Sequence, residues 1–402
     1  MLEHHVPTRV SLLVISLAPS FLAVGFLQVA VSAWLPSVGF ASTQVGILIS
    51  IQGILAITTA VPAGVFSDVY GRKMLLILGA VMLTVGLLMF GLTLDFTLLV
   101  LASALLGCAE GAIVATWNAL LADMTGAAER NEVFSLSFIM MTIASGIGLA
   151  LPGAFPYLEG LFSLSGFSIH RDALLLLGVA SAISPLMITA LMVGHLETHN
   201  PSRKWRGLRN LGTLAKLGFV GGAIGFGAGF IIPMIGTWFL YRFDVGDSYS
   251  GPVLALSSIL VGLAAFGSPK LAAKYGQLRA IMFTTASSMV FMLAMAFLPN
   301  VHIAAIFFII RSGLMNMANP LLDSFSMSIF PPDQRGLVSG LTNIVYRLPN
   351  SASTYIGGYL LGLRLLELPF VIASGLYLVG LAGFFVFFIR KGIGNTLGST
   401  PP

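Results

Sequence analysis

Charge is what this chain lacks. Of its 402 residues only 9% are Asp, Glu, Lys or Arg, against roughly a quarter in an ordinary soluble domain. So little charge cannot hold a surface of this size in water, which excludes a soluble globular protein. The single cysteine, Cys108, can neither close an intrachain disulfide nor build a thiolate metal site alone, and reads as a small helix-packing residue. The six histidines, His4, His5, His170, His195, His199 and His302, fall at expected membrane edges or in loops. No pair of them has the spacing of a metalloprotease helix, and no metal or other cofactor is expected. The net charge of +5 makes no basic stripe, so nucleic acid is not an expected partner.

What is present is apolar residue, 57% of the chain, with a mean hydropathy of +0.96. It is spread over the whole length, and a helical span needs about 20 apolar residues. Twelve segments qualify, near 11–35, 43–66, 74–94, 97–121, 133–155, 173–194, 214–240, 250–268, 280–298, 302–327, 338–361 and 369–389. Outer-membrane barrel strands are short and alternate in polarity, so a barrel is excluded. The first segment is too long and too weakly basic in its lead for a signal peptide, and no targeting segment is evident. The fold class expected is therefore an all-α integral membrane protein of twelve transmembrane helices.

Twelve spans place both termini on one side. That side carries Arg9, Arg72, Lys73, Arg130, Arg203, Lys204, Arg206, Arg209, Lys216, Lys270, Lys274, Arg279, Arg335, Arg390 and Lys391, and the other only Arg171, Arg242 and Arg364. The bias assigns the termini to the cytoplasm of a plasma-membrane protein. The longest polar stretch holds Pro201 and the Arg203-Lys204-Trp205-Arg206 cluster. It divides the chain into a six-helix bundle over 1–194, a cytoplasmic linker over 195–213 and a second bundle over 214–402. The basic cluster could also hold anionic lipid headgroups.

A shift of 205 residues lays Gly46 on Gly251, Gly71 on Gly276, Arg130 on Arg335 and Gly153 on Gly358 without a gap. Ala127-Ala128-Glu129-Arg130 lies over Pro332-Asp333-Gln334-Arg335. The halves read as duplicates, and parallel six-helix repeats are a transporter design whose substrate site lies near the midplane.

The stretch Gly64-Val65-Phe66-Ser67-Asp68-Val69-Tyr70-Gly71-Arg72-Lys73, between the second and third segments, closely resembles the signature loop of the major facilitator superfamily. Length, span number, central polar stretch and repeat all agree with that family. The resemblance implies two pseudo-symmetric bundles rocking about a central site by alternating access. Gly64 and Gly71 are expected to permit close approach and a tight turn. Asp68 is expected to face the positive N-terminal end of the eleventh helix, and Arg72 to pair with Asp123 at the end of the fourth, together latching the cytoplasmic side. The rival reading is that Arg72 and Lys73 merely anchor topology. In the second half Ala273 replaces the acid, so the latch is one-sided.

Ionisable residues within spans cost about 2.5 to 3.5 kcal/mol each on insertion scales and mark function. Glu110, Arg311 and Arg347 lie on the order of 14 to 20 Å along their helices, near mid-depth. Arg347 shares a helix face with Ser339, Asn343, Asn350 and Thr354. That stripe should avoid lipid and line a water path or the junction of the halves, although an arginine bonded only to helix carbonyls fits as well. Ser312, Asn316, Asn319 and Asp323 make a second stripe, from which Arg311 projects about 100° away. Glu110 shares its face with Ser103 and Trp117. Because burial opposes ionisation and a guanidinium favours it, Glu110 suits a proton-coupling acid; a fixed ion pair with an arginine is the rival. Trp34, Trp117 and Trp238 read as packing residues, with aromatic substrate contact an option for Trp117. Gly221, Gly225 and Gly229 form a ridge for close helix packing.

The expected function is secondary transport of a small organic solute, coupled to protons, by a monomer in contact with membrane lipid. No paired acid and base or metal constellation suggests an enzyme. Two arginines to one glutamate favour an organic anion or zwitterion. Drug efflux and lipid flipping are the alternatives. The first is weakened because Ser103 stands where family antiporters carry an arginine, and because the fifth helix offers only Gly146-Ile147-Gly148 and Leu151-Pro152-Gly153 in place of a Gly-Pro-x-x-Gly-Gly pattern.

Overall fold

The computed structural model describes residues 7–126, 129–163, 165–193, 210–331 and 334–390. Among them it contains no strand and twelve helical rods: α1 Thr8–Ser37, α2 Ser42–Tyr70, α3 Arg72–Leu92, α4 Phe96–Asp123, α5 Glu132–Phe162, α6 Gly166–Leu191, α7 Leu211–Phe243, α8 Asp247–Tyr275, α9 Gln277–Phe297, α10 Val301–Ile329, α11 Arg335–Gly362 and α12 Leu368–Ile389. Ten are long and apolar enough to cross a membrane, and α8 qualifies when its two pieces are taken together. The exception is α11, whose Ser, Thr, Asn and Arg residues lower its hydropathy. Leu176 and Leu186 are 71% and 69% exposed; such a surface belongs against lipid. Residues 127–128, 332–333 and most of the 195–213 linker, with its basic cluster, lie outside the described residues, as do His4, His5, His195 and His199.

The rods begin where the sequence supplies acceptors for the first turn. Asp95 accepts from the Leu98 amide at the start of α4, and Asn300 accepts from His302 and Ile303 at the start of α10. Ser165 and Ser168 form a capping box on α6. That cap starts α6 seven residues before the hydrophobic segment suggested, so His170 is not in a loop but is buried in the second helical turn. The segment ends shift elsewhere for the same reason: helices continue past the apolar run to their caps.

Two compact units emerge. The first takes the described residues through Phe40, then 47–193, then Val245–Ala255; the second takes Ala41–Gly46, then 210–244, then the described residues from Leu256 onward. Each therefore contains a short stretch from the other sequence half. In the first, α1 packs on α5 and α6, and α3 on α4 and α6; in the second, α7 packs on α11 and α12, and α9 on α10 and α12. The pairing repeats under the 205 shift. Close approaches recur on the same helix pair, since a Cβ on Gly25 would strike the Ser145 carbonyl, and one on Gly229, a single residue off the 205 register, the Asn350 carbonyl.

The ridge on α7 differs from the expected one. Gly225 and Gly229 lie on the Tyr346 and Asn350 carbonyls of α11, with Gly218 and Gly222 over Val345, whereas Gly221 has nothing within 4 Å. A strict four-residue row drifts around the helix, and the row that follows α11 alternates steps of four and three. Gly229→Leu should therefore destabilise by roughly 1 to 3 kcal/mol through overpacking, seen as a lower unfolding temperature in detergent, while Gly221→Leu leaves that temperature unchanged.

Candidate functional site

In the first unit the chain reverses between α2 and α3 at Gly71, whose φ of 99° suits glycine alone. Gly64 has no such role: it lies inside α2, and a Cβ there would meet nothing within 4 Å. The Gly64 to Lys73 stretch is thus a helix end and a one-residue turn, not a loop. Arg72 pairs with Asp123 at the end of α4, donates to the Ala119 carbonyl at 3.0 Å, and has Asp68 one turn back at 3.7 Å. Lys73 donates to the Met192 carbonyl at 2.7 Å, and Arg9 to Leu191 and Val193. Cations on the last carbonyls of α6 complement the negative end of its dipole.

The second half keeps the shape of this corner with an amide in place of the Arg72 guanidinium. Gly276 turns the chain with a φ of 82°, and Gln277, in the place of Arg72, bonds the Leu321 carbonyl at 2.9 Å. Arg130 and Arg335 act alike, donating to Ala122 at 3.1 Å and to Phe330 at 3.2 Å, each at the end of the preceding helix.

Glu110 and Trp117 lie on α4, in the first unit. Glu110 is half-buried on a helix held tightly against α2, because Gly107 and Gly111 sit on the Gln52 and Ala56 carbonyls. Trp117 is 4% exposed, and its Nε1 donates to Ser137 at 2.8 Å. Its polar edge is committed to α5.

Arg311, Asn343, Arg347 and Asn350 belong to the second unit. Arg311 is 4% exposed; one terminal nitrogen donates to the Tyr377 hydroxyl at 2.6 Å, and Nε has no hydrogen-bond partner. Tyr377, on α12, is fully buried. It was missed in the sequence, though a lone phenol amid the apolar residues of α12 is a faint signal of the same kind as a buried charge. Along α11, Ser339, Asn343 and Arg347 are exposed, and the stripe becomes buried toward Thr354. A polar surface open at membrane depth faces water rather than lipid. Asn350 is spoken for, donating to the Gly225 carbonyl at 3.1 Å. On α10 the second stripe bonds largely to itself, Asn316 to the Ser312 carbonyl and Asn319 to Asn316. Among the described residues no three His, Cys, Asp or Glu side chains cluster as metal ligands.

The arrangement is thus a polar, partly open face on α11 beside a buried guanidinium, within a bundle of spanning helices. Comparison with known proteins bears on the bundle. Multidrug resistance protein 2 of Bacillus subtilis (strain 168) is 22% identical over 373 residues, covering 90% of each chain. Quinolone resistance protein NorA of Staphylococcus aureus (strain COL) is 22% identical over 395 residues, covering 92% of this chain and 93% of its own. The crystal structure of the nucleoside transporter NupG (D323A mutant) superposes with a TM-score of 0.74 at 16% identity, over 94% of this chain and 99% of that one. The model of the Major Facilitator Superfamily matches residues 13–354. This chain, a membrane transporter of twelve helices and not an enzyme, belongs to that superfamily.

Proposed function

We propose that the chain is a proton-coupled carrier of a small organic solute bearing a carboxylate or similar anionic group, which Arg311 binds. The observation that carries this is the buried Arg311 guanidinium, satisfied at one nitrogen by Tyr377 and open at Nε. A buried donor left unpaired costs about 1 to 3 kcal/mol, more when charged, and an incoming anion removes that cost. The exposed stripe of Ser339, Asn343 and Arg347 supplies a wetted approach, and Glu110 the exchangeable proton. Asn350 holds helices together beside the site, and Trp117 does so within the first unit. The carrier acts as a monomer in the plasma membrane, termini inward, as the excess of basic residues on one side supports. The turn at Gly71, with Asp68, Arg72, Lys73 and Asp123, is its cytoplasmic latch.

Drug efflux is the second reading, favoured by likeness over nine-tenths of the chain to two proteins named for drug resistance. A thermal-shift screen of the purified protein separates the two, since ligand at 100 times its Kd adds about 2.7 kcal/mol. We expect organic anions or zwitterions to raise the unfolding temperature and Arg311→Gln to abolish that rise; stabilisation by lipophilic cations alone establishes efflux instead, and by lipids alone a flippase. In proteoliposomes Glu110→Gln should uncouple uptake from a pH gradient, and uptake still fully driven by the gradient rules Glu110 out. Asp68→Asn and Asp123→Asn should slow transport without lowering expression; unchanged rates dismiss the latch.

A further inference from the structure

Two contacts related by the 205 shift hold the exchanged stretches in place. In the second unit the start of α2 lies on α11: a Cβ on Gly46 would come 3.0 Å from the Thr354 carbonyl, and one on Gly358 would come 2.5 Å from that of Ser42. In the first unit the start of α8 lies on α5: a Cβ on Gly251 would come 2.5 Å from the Leu149 carbonyl, and one on Gly153 would come 2.6 Å from Pro252. In both contacts a glycine of the shorter stretch, Gly46 or Gly251, rests on the equivalent carbonyl, of Thr354 or Leu149. The polar part differs. Ser42 hydroxyl donates to the Gly358 carbonyl at 2.8 Å, whereas its counterpart Asp247 pairs with His170 Nε2. Gly375 occupies the place of His170 in the second half.

His170 and Asp247 are 5% and 6% exposed. The imidazole lies flat on Trp34, with ring centres 5.1 Å apart and planes 1° from parallel, and Phe155 meets it edge-on at 4.7 Å. Its Nδ1 faces the Gly166 carbonyl, which can only accept, so Nδ1 carries hydrogen. One further proton must then lie between Nε2 and the Asp247 carboxyl, whichever atom it is nearer. Without it, a nitrogen lone pair faces a carboxylate among buried aromatic rings, and the contact becomes repulsive.

We propose that His170 and Asp247 form a proton-binding site which clasps the Val245–Ala255 stretch to the first unit. Opening it yields neutral His170, ionised Asp247 and one released proton; closing it takes that proton up. Near neutral pH a free carboxylate is ionised and a free imidazole largely neutral, so the closed form binds more protons than the open one. Rising pH must therefore open the clasp. Other groups do not supply this proton. Arg171 and Asp172, on the same helix, are exposed, as are Tyr157 on the helix that carries Phe155 and Asp244 before α8; Glu159 and Tyr249 are half-exposed. Arg9, on the helix of Trp34, and Arg72 and Lys73, on α3, lie at the far end of α6, roughly 30 Å along it; Glu132 opens the facing helix α5 near that same end, with Arg130 just before it. On α8, Lys270 and Lys274 occupy the opposite terminus. The site is independent of the Arg311 and Glu110 assignments.

Hydrogen exchange of the full-length protein in lipid nanodiscs, corrected for intrinsic exchange, tests this over a pH series. In the unsubstituted protein the amides of 247–255 should lose protection as pH rises, by roughly tenfold if one charge-assisted bond is lost, while those of 42–46 keep theirs. His170→Phe should leave 247–255 poorly protected at every pH. Asp247→Asn should keep it protected at every pH, because the asparagine amide can donate to Nε2 without a titrating proton. If 247–255 shows no pH dependence, if both stretches respond alike, or if Asp247→Asn behaves like His170→Phe, the clasp is refuted.

Discussion

In a bilayer the hydrophobic effect does not press helices together, because lipid tails are as apolar as leucine side chains. What remains is close van der Waals approach and the few polar bonds a helix can make across to its neighbour. This structure depends on the first. Glycines on α7, α4, α1 and α2 sit on backbone carbonyls of the helices beside them, leaving no room for a side chain. Polar bonds then complete the same seams, as where Asn350 reaches the Gly225 carbonyl next to the contact that Gly229 makes. A seam built this way has one register, since sliding it by one residue drives a Cβ into a carbonyl.

That dependence explains why so much of the architecture was legible from the repeat. Gly71 and Gly276 recur because each turn needs a positive φ; Arg130 and Arg335 because each caps the preceding helix; Gly46, Gly251, Gly153 and Gly358 because they form two equivalent contacts. Identity survives where the backbone leaves no alternative. Where several residues can do one job it is lost, and Asp95 and Asn300 cap α4 and α10 at equivalent positions without matching as letters. Helix ends were less legible, for hydropathy measures the hydrocarbon layer while the helix is bounded by its caps. Gly64 misled because a glycine in a motif suggests a turn, and here the turn belongs wholly to Gly71.

Candidate site residues were legible as types, through the cost of placing them in a membrane, and not as partnerships. Nothing within α4 shows that Trp117 gives its N–H to Ser137, and nothing within α10 shows that Tyr377 satisfies one nitrogen of Arg311 and leaves Nε open. His170 was passed over for a simpler reason. Beside Ser168, Arg171 and Asp172 it reads as part of a polar loop, and only the capping box makes that stretch the first turns of a helix with one face inward.

The repeat also separates holding from acting. Arg311 lies over Leu106, Glu110 over Met315, Arg347 over Thr142, Arg72 over Gln277, Asp123 over Ser328, and the pair His170 and Asp247 over Gly375 and Ser42. Each ionisable group singled out for chemistry lacks an ionisable counterpart, while the shared positions are glycines and capping arginines. A ligand or proton shifts a conformational equilibrium only by binding one state better than the other. Two identical halves would respond alike, and a proton would bias neither. In the carrier proposed above, duplication supplies the scaffold, and single charges placed on one copy are where a bound ion would tell the two copies apart.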